Sequence, residues 1–179
     1  MKRKEVSSRK GGFRRLLTWF HGTSAQCTAI IILGMCYGIH DITGILSTPL
    51  YHEPLYGIAL MCIALAGISK AAQIPFSKWL LGAMVAPTPT SALLHSSTMV
   101  KAGVYLLIRL SPALSENQVV SLAVILIGGI TFLMASFAAI SQSNAKRVLA
   151  YSTIANLGLI VTCGGIGTAE AVWAGVMLI

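Results

Sequence analysis

The chain has 179 residues, of which 55% are hydrophobic and only 10% charged, against about 25% charged in an ordinary soluble domain. Its formal net charge of +8 is concentrated at one end, where Lys2, Arg3, Lys4, Arg9, Lys10, Arg14 and Arg15 supply seven of the 13 basic residues. Lipid is therefore the expected solvent for most of the chain, and a soluble enzyme or nucleic-acid-binding domain is set aside.

The basic arm, residues 1–24, precedes a long apolar segment and reads as a cytoplasmic anchor. It is a poor secretory signal, because the apolar run that follows is long and lacks a small-residue cleavage site. A spanning helix needs roughly 20 mostly apolar residues. The first candidate covers residues 26–46, with His40 and Asp41 near its end, and the second covers 55–73 and meets Pro75. The third begins beyond Pro87 and Pro89 and reaches residue 110. The fourth covers 119–140, the fifth 148–163, and a sixth starts near Ala169. Turn residues mark the short connections: Pro49 and Pro54, Pro87 and Pro89, Pro112, then Gly164, Gly165 and Gly167.

No linker divides residues 25–179. The pattern predicts an all-α fold, a polytopic transmembrane bundle of about five to six spans with one proline-broken helix. A β-barrel would alternate apolar and polar residues, and these runs do not. With the N-terminus in the cytoplasm, Lys78, Lys146 and Arg147 fall on the cytoplasmic side, Asp41, Glu53, Glu116 and Glu170 fall outside, and Arg109 is the one basic loop residue left outside with them. Cys27, Cys36, Cys62 and Cys163 form no CxxC pair and sit in apolar runs, so they read as small hydrophobes.

Three titratable residues lie where hydrocarbon is expected: Lys70, His95 and Lys101. A charge at that depth costs about 2.5–3.5 kcal/mol even on the gentler insertion scale, so such groups face a protein interior or a hydrated cavity and mark function. Lys70 stands just before Pro75, whose missing N–H predicts a helix break with the carbonyl of Ala71 left free. Broken helices at membrane depth are a way of building ion sites. The competing reading sends Lys70 snorkelling to the interface. His95 and Lys101 share the third span, about 9 Å apart along its axis. Ser96, Ser97 and Thr98 supply hydroxyls that suit a chain of waters between them. In general, desolvation eases proton loss from a lysine and an imidazole titrates near neutrality, so a lysine–histidine–lysine row suits a proton relay. No motif for a nucleotide, metal or iron–sulfur group appears, so no cofactor is expected in this chain.

The stretch from Lys70 through Pro75, Pro87, Pro89 and His95 to Lys101 and Leu106 resembles the core signature of the antiporter-like, proton-translocating membrane subunits. These include the large membrane subunits of complex I, of multi-subunit Na⁺/H⁺ antiporters and of energy-converting membrane-bound hydrogenases. The run from Gln142 through Lys146 and Arg147 to Thr153 is similar to the same family. The resemblance is clear over about 67–164 and weak elsewhere.

The resemblance implies a fold of two inverted five-helix repeats, each with a broken helix. It places Lys70 on the channel lysine of the first broken helix, His95 on the relay histidine of the next helix, and Lys101 on a bridging position. Lys101, together with Leu81 and Gly82, tilts the reading toward the hydrogenase or antiporter branch. The family's membrane glutamate is expected upstream of residue 1 and its second channel lysine beyond Ile179. The chain is thus read as the middle part of a longer subunit.

The leading expectation is a proton-translocating membrane subunit of a redox-driven complex, of the NADH:quinone oxidoreductase or hydrogenase type. Its partners would be other membrane subunits, a hydrophilic redox arm and the bilayer of a prokaryotic plasma membrane. The alternatives are a subunit of a Na⁺/H⁺ antiporter without a redox partner, and a non-functional gene fragment.

Overall fold

A computed structural model describes residues 22–39, 41–47, 53–83 and 99–179. His95 and the basic arm through His21 lie outside the described residues. Every regular element among the described residues is a helix, with no strand among them. The elements are α1 (Gly22–Tyr37), α2 (Ile42–Ser47), α3 (Pro54–Lys70), α4 (Lys78–Ala83), α5 (Met99–Arg109), α6 (Ser111–Glu116), α7 (Gln118–Ile140), α8 (Ala145–Ile166) and α9 (Ala169–Leu178).

Helices α7 and α8 are about 34 Å and 33 Å long, enough to cross a hydrocarbon core of about 30 Å. They pack side by side as an antiparallel pair. Helix α7 buries Val120, Val124, Gly128, Thr131 and Ala135, a stripe at helical spacing. Its other sides expose Val119, Leu122, Leu126, Ile130, Leu133 and Phe137. An apolar helix bare around most of its circumference suits lipid, not water.

Glycines set two close helix crossings. A Cβ on Gly128 would stand 2.8 Å from the carbonyl oxygen of Gly158, and one on Gly158 would stand 2.8 Å from that of Gly128. Likewise, a Cβ on Gly103 of α5 would stand 2.6 Å from the carbonyl oxygen of Gly67 on α3. Small residues let spanning helices approach backbone to backbone, where dispersion and weak polar contacts replace the hydrophobic driving force that lipid does not supply. The core between these pairs is filled by Leu60, Ile68, Leu107, Leu114, Ile154 and Ile160.

Several boundaries differ from the sequence reading, each for a local reason. The first span is interrupted: α1 ends at Tyr37, Gly38 adopts φ +65°, and α2 starts afresh at Ile42. The fifth span is longer at both ends. Asn144 caps α8 by accepting a hydrogen bond from the Lys146 N–H at 3.2 Å. At its other end the helix runs through Gly164 and Gly165, which are buried, and stops only where Gly167 turns left-handed at φ +74°. The connection at Pro112 carries the short helix α6, with the proline in its first turn.

The acidic residues of the described part gather at one end of the bundle. Glu53 precedes α3, and Tyr56 in the first turn of α3 donates its hydroxyl to the carbonyl of Ile45, 2.9 Å away in the helix that follows Asp41. A methyl on Gly57 would meet Asn117 Nδ2 at 2.9 Å, which brings Glu116 to the same end. Gly167 abuts Ser115, so the start of α9, with Glu170, lies there too. Lys146 and Arg147 open α8 at the opposite end.

Candidate functional site

Helix α3 is only about 25 Å long, and it stops at Lys70. The stop is a Schellman closure. The Ala72 N–H donates to the Ser69 carbonyl at 3.3 Å and the Gln73 N–H to the Ile68 carbonyl at 3.2 Å. Ala72 occupies the left-handed position, at φ +53°, that glycine usually fills. The helix therefore ends several residues before Pro75, by its own hydrogen bonding rather than by a proline kink. The bond between Ile74 and Pro75 is cis.

The carbonyl of Ala71, expected to be left free, is taken by the Gln73 side chain, whose Nε2 donates to it at 3.1 Å. Gln73 is fully buried, and its Oε1 has no hydrogen-bonding partner among the described residues. That oxygen faces Gly158: a methyl there would stand 3.3 Å from it. The chain resumes as α4, and Trp79 Nε1 reaches back to the Ser69 carbonyl at 3.3 Å, spanning the break.

The depth of the break can be read from its neighbours. The Ile74 N–H donates to Thr131 Oγ1 at 3.2 Å. Thr131 lies about 20 Å from the start of α7 and about 14 Å from its end. The same distance, about 20 Å, separates Gly57 from Lys70 along α3, and Gly57 is level with the start of α7. Gly158, which faces Gln73, is also in the middle part of α8. The backbone of Lys70 thus sits within the span of α7 and α8 rather than at the level of their ends. The residue is exposed among the described residues, and it occupies the last turn of α3, where the helix dipole favours a cation.

Lys101 is close in the fold but faces elsewhere. Gly103 packs on α3 so tightly that its Cβ would stand 3.0 Å from the Cβ of Lys70. Lys101, two residues earlier, is rotated about 200° from that face. It is half-buried, and its Nζ donates to the carbonyl oxygen of Ile179 at 2.5 Å. The structure therefore brings Lys70 and α5 together but sends Lys70 and Lys101 to different sides of that helix. Asn156 is exposed on α8. Asp41 lies in the segment tied to Tyr56, about 21 Å along α3 from Lys70, and so does not partner it.

Thr131 and Gly158 escaped the sequence reading, because a threonine and a glycine in an apolar run carry no local sign of the contact they make. Gln73 stands three residues after Lys70 in the sequence, but nothing local marks it as the group that closes the break.

All of the chain, residues 1–179, matches the family described as "NADH:quinone oxidoreductase/Mrp antiporter, TM". It is 41% identical over 154 residues to a Na⁺/H⁺ antiporter subunit (A1) of Staphylococcus haemolyticus, covering 85% of this chain and 19% of that one. It is 41% identical over 157 residues to a probable K⁺/H⁺ antiporter subunit of Rhizobium meliloti, covering 87% of this chain and 16% of the relative. Among solved structures, a chain of the Mrp complex from Dietzia sp. DQ12-45-1b superposes with a TM-score of 0.88 at 38% identity, over 94% of this chain and 19% of its own length. This chain spans about a fifth of the length of the curated relatives it matches. With the match running from end to end over a helical membrane fold broken at Lys70, the chain belongs to the NADH:quinone oxidoreductase/Mrp antiporter transmembrane family.

Proposed function

We propose that this chain forms part of the proton-translocating membrane bundle of a multi-subunit monovalent cation/proton antiporter. The observation that carries the reading is the end of α3 at Lys70, inside the span of α7 and α8. A lysine there is costly as a fixed cation and useful as a site that gains and loses a proton. The Schellman closure and the Gln73 amide satisfy the backbone at the break, so the interruption does not leave its carbonyls bare in hydrocarbon. His95 and Lys101 then continue the proton path beyond Lys70, through waters rather than by direct contact of the two lysines.

The antiporter reading replaces the redox-driven complex expected from the sequence as the main one. The family embraces both, and the names of the relatives, Na⁺/H⁺ and K⁺/H⁺ antiporter subunits together with an Mrp complex, support the branch without a redox arm. The partners are then other membrane subunits of the same complex. The bundle end that carries Lys146 and Arg147 faces the cytoplasm, by the preference of basic residues for that side.

The test is ion-driven activity. In everted vesicles that carry the full complex and have their respiratory enzymes inhibited, a proton gradient is set up artificially and Na⁺ or K⁺ is then added. Collapse of the gradient on cation addition supports the antiporter. Proton movement only when an electron donor and acceptor are supplied would restore the redox-driven reading.

A further inference from the structure

The break is held mostly by local bonds. The Schellman closure, the Gln73 brace on Ala71 and the Trp79 tie to Ser69 all join residues within ten positions of one another. They fix the shape of residues 71–77 but not the place of that segment in the bundle. Among the described residues, one polar contact of the segment reaches another span: the Ile74 N–H to Thr131 Oγ1, 57 positions away.

The chemistry of that contact is specific. Thr131 is fully buried. Its hydroxyl proton is committed to the carbonyl of Ile127 in its own helix, at 2.6 Å, so the oxygen is left to accept and its direction is fixed. Ile74 is followed by Pro75, which has no N–H, so the Ile74 amide is the donor next to the proline that can anchor the segment leaving the break. Other hydroxyls in the two long spans, on Ser136, Thr153 and Thr162, also bond back into their own helices, which is an ordinary use of such residues. Thr131 does that and holds the break as well.

We propose that Thr131 is a positioning residue for Lys70: its hydroxyl pins the helix break to the middle of α7 and so sets where the lysine stands in the translocation path. The inference rests on the role given to Lys70 above. Valine replaces threonine with nearly the same shape and no hydroxyl, and serine keeps the hydroxyl. In the full complex, Thr131→Val should reach wild-type abundance yet lower the maximal rate of cation-driven proton exchange by about tenfold to a hundredfold, the scale of a misplacement near 1 Å. Thr131→Ser should restore most of that rate.

A second readout does not depend on what Lys70 does. In a background without the native cysteines, Lys70→Cys is labelled in vesicles with a small thiol reagent, with and without Thr131→Val. The proposal expects the labelling rate at position 70 to change several-fold with Thr131→Val and to return with Thr131→Ser. If valine is not tolerated, Thr131→Ala removes the same hydroxyl and is used in its place. An unchanged labelling rate at position 70 overturns the proposal. Changed labelling with an unchanged transport rate upholds the tether and overturns instead the translocating role of Lys70.

Discussion

Gly103 offers a sharp test of how Lys70 is held. A methyl placed there by Gly103→Ala would lie 2.6 Å from the carbonyl oxygen of Gly67, 2.9 Å from the amide nitrogen of Ala71 and 3.0 Å from the Cβ of Lys70. Carbon and oxygen that touch comfortably are about 3.3 Å apart, so α5 must withdraw by about 0.7 Å at this point. Two of the three obstructing atoms are backbone, so no side chain can swing aside. Overpacking of this kind costs about 1–3 kcal/mol. Within the same protein Gly129 on α7 serves as the control, because a methyl there meets nothing within 4 Å and alanine improves helix propensity by about 1 kcal/mol. The assay is reversible unfolding of the intact complex in detergent and mild denaturant, alongside transport. Gly103→Ala is expected to lose stability and transport together, and Gly129→Ala to lose neither. A Gly103→Ala protein within about 0.5 kcal/mol of wild type, the range of an inconsequential surface change, would refute the close α3–α5 crossing.

Three further outcomes follow from single contacts. Gly167→Ala drives a Cβ into that of Ser115 in a residue at φ +74°, and should cost about 1–3 kcal/mol in the same unfolding assay. Tyr56→Phe removes the donor to the Ile45 carbonyl and should cost about 1–2 kcal/mol, with faster proteolysis between α2 and α3 as its local sign. At Ala72, valine should disrupt the break, since a branched side chain at φ +53° is a backbone outlier. Glycine there should stay within about 1 kcal/mol of wild type, because relief of left-handed strain offsets the lost methyl.

The sequence made the spans visible because their signal is local: length and apolarity suffice for α7 and α8, and both lie close to where they were expected. The break near Lys70 was legible too, but for an incomplete reason. Pro75 announced an interruption, while the helix in fact closes at Ala72, a residue whose left-handed backbone no propensity suggests. Glycine misled at the end of α8 for the converse reason. Gly164 and Gly165 look like a turn, but they are buried in the helix among its neighbours, and only Gly167 turns. What stayed hidden is what depends on distant residues: the Thr131 tether, the Gly67–Gly103 and Gly128–Gly158 crossings, and the opposite facing of Lys101. The gathering of Asp41, Glu53, Glu116 and Glu170 at one end was foreseeable, since the count of spans between them fixes it.

The central claim is that Lys70 carries protons at membrane depth. Its most direct test is cation-driven proton exchange by the full complex in vesicles, measured for wild type, Lys70→Arg and Lys70→Ala at matched membrane abundance. The account predicts that Lys70→Ala falls to background and that Lys70→Arg fails as well, because a guanidinium keeps its proton at any working pH. Exchange at the wild-type rate in the Lys70→Ala complex would contradict it.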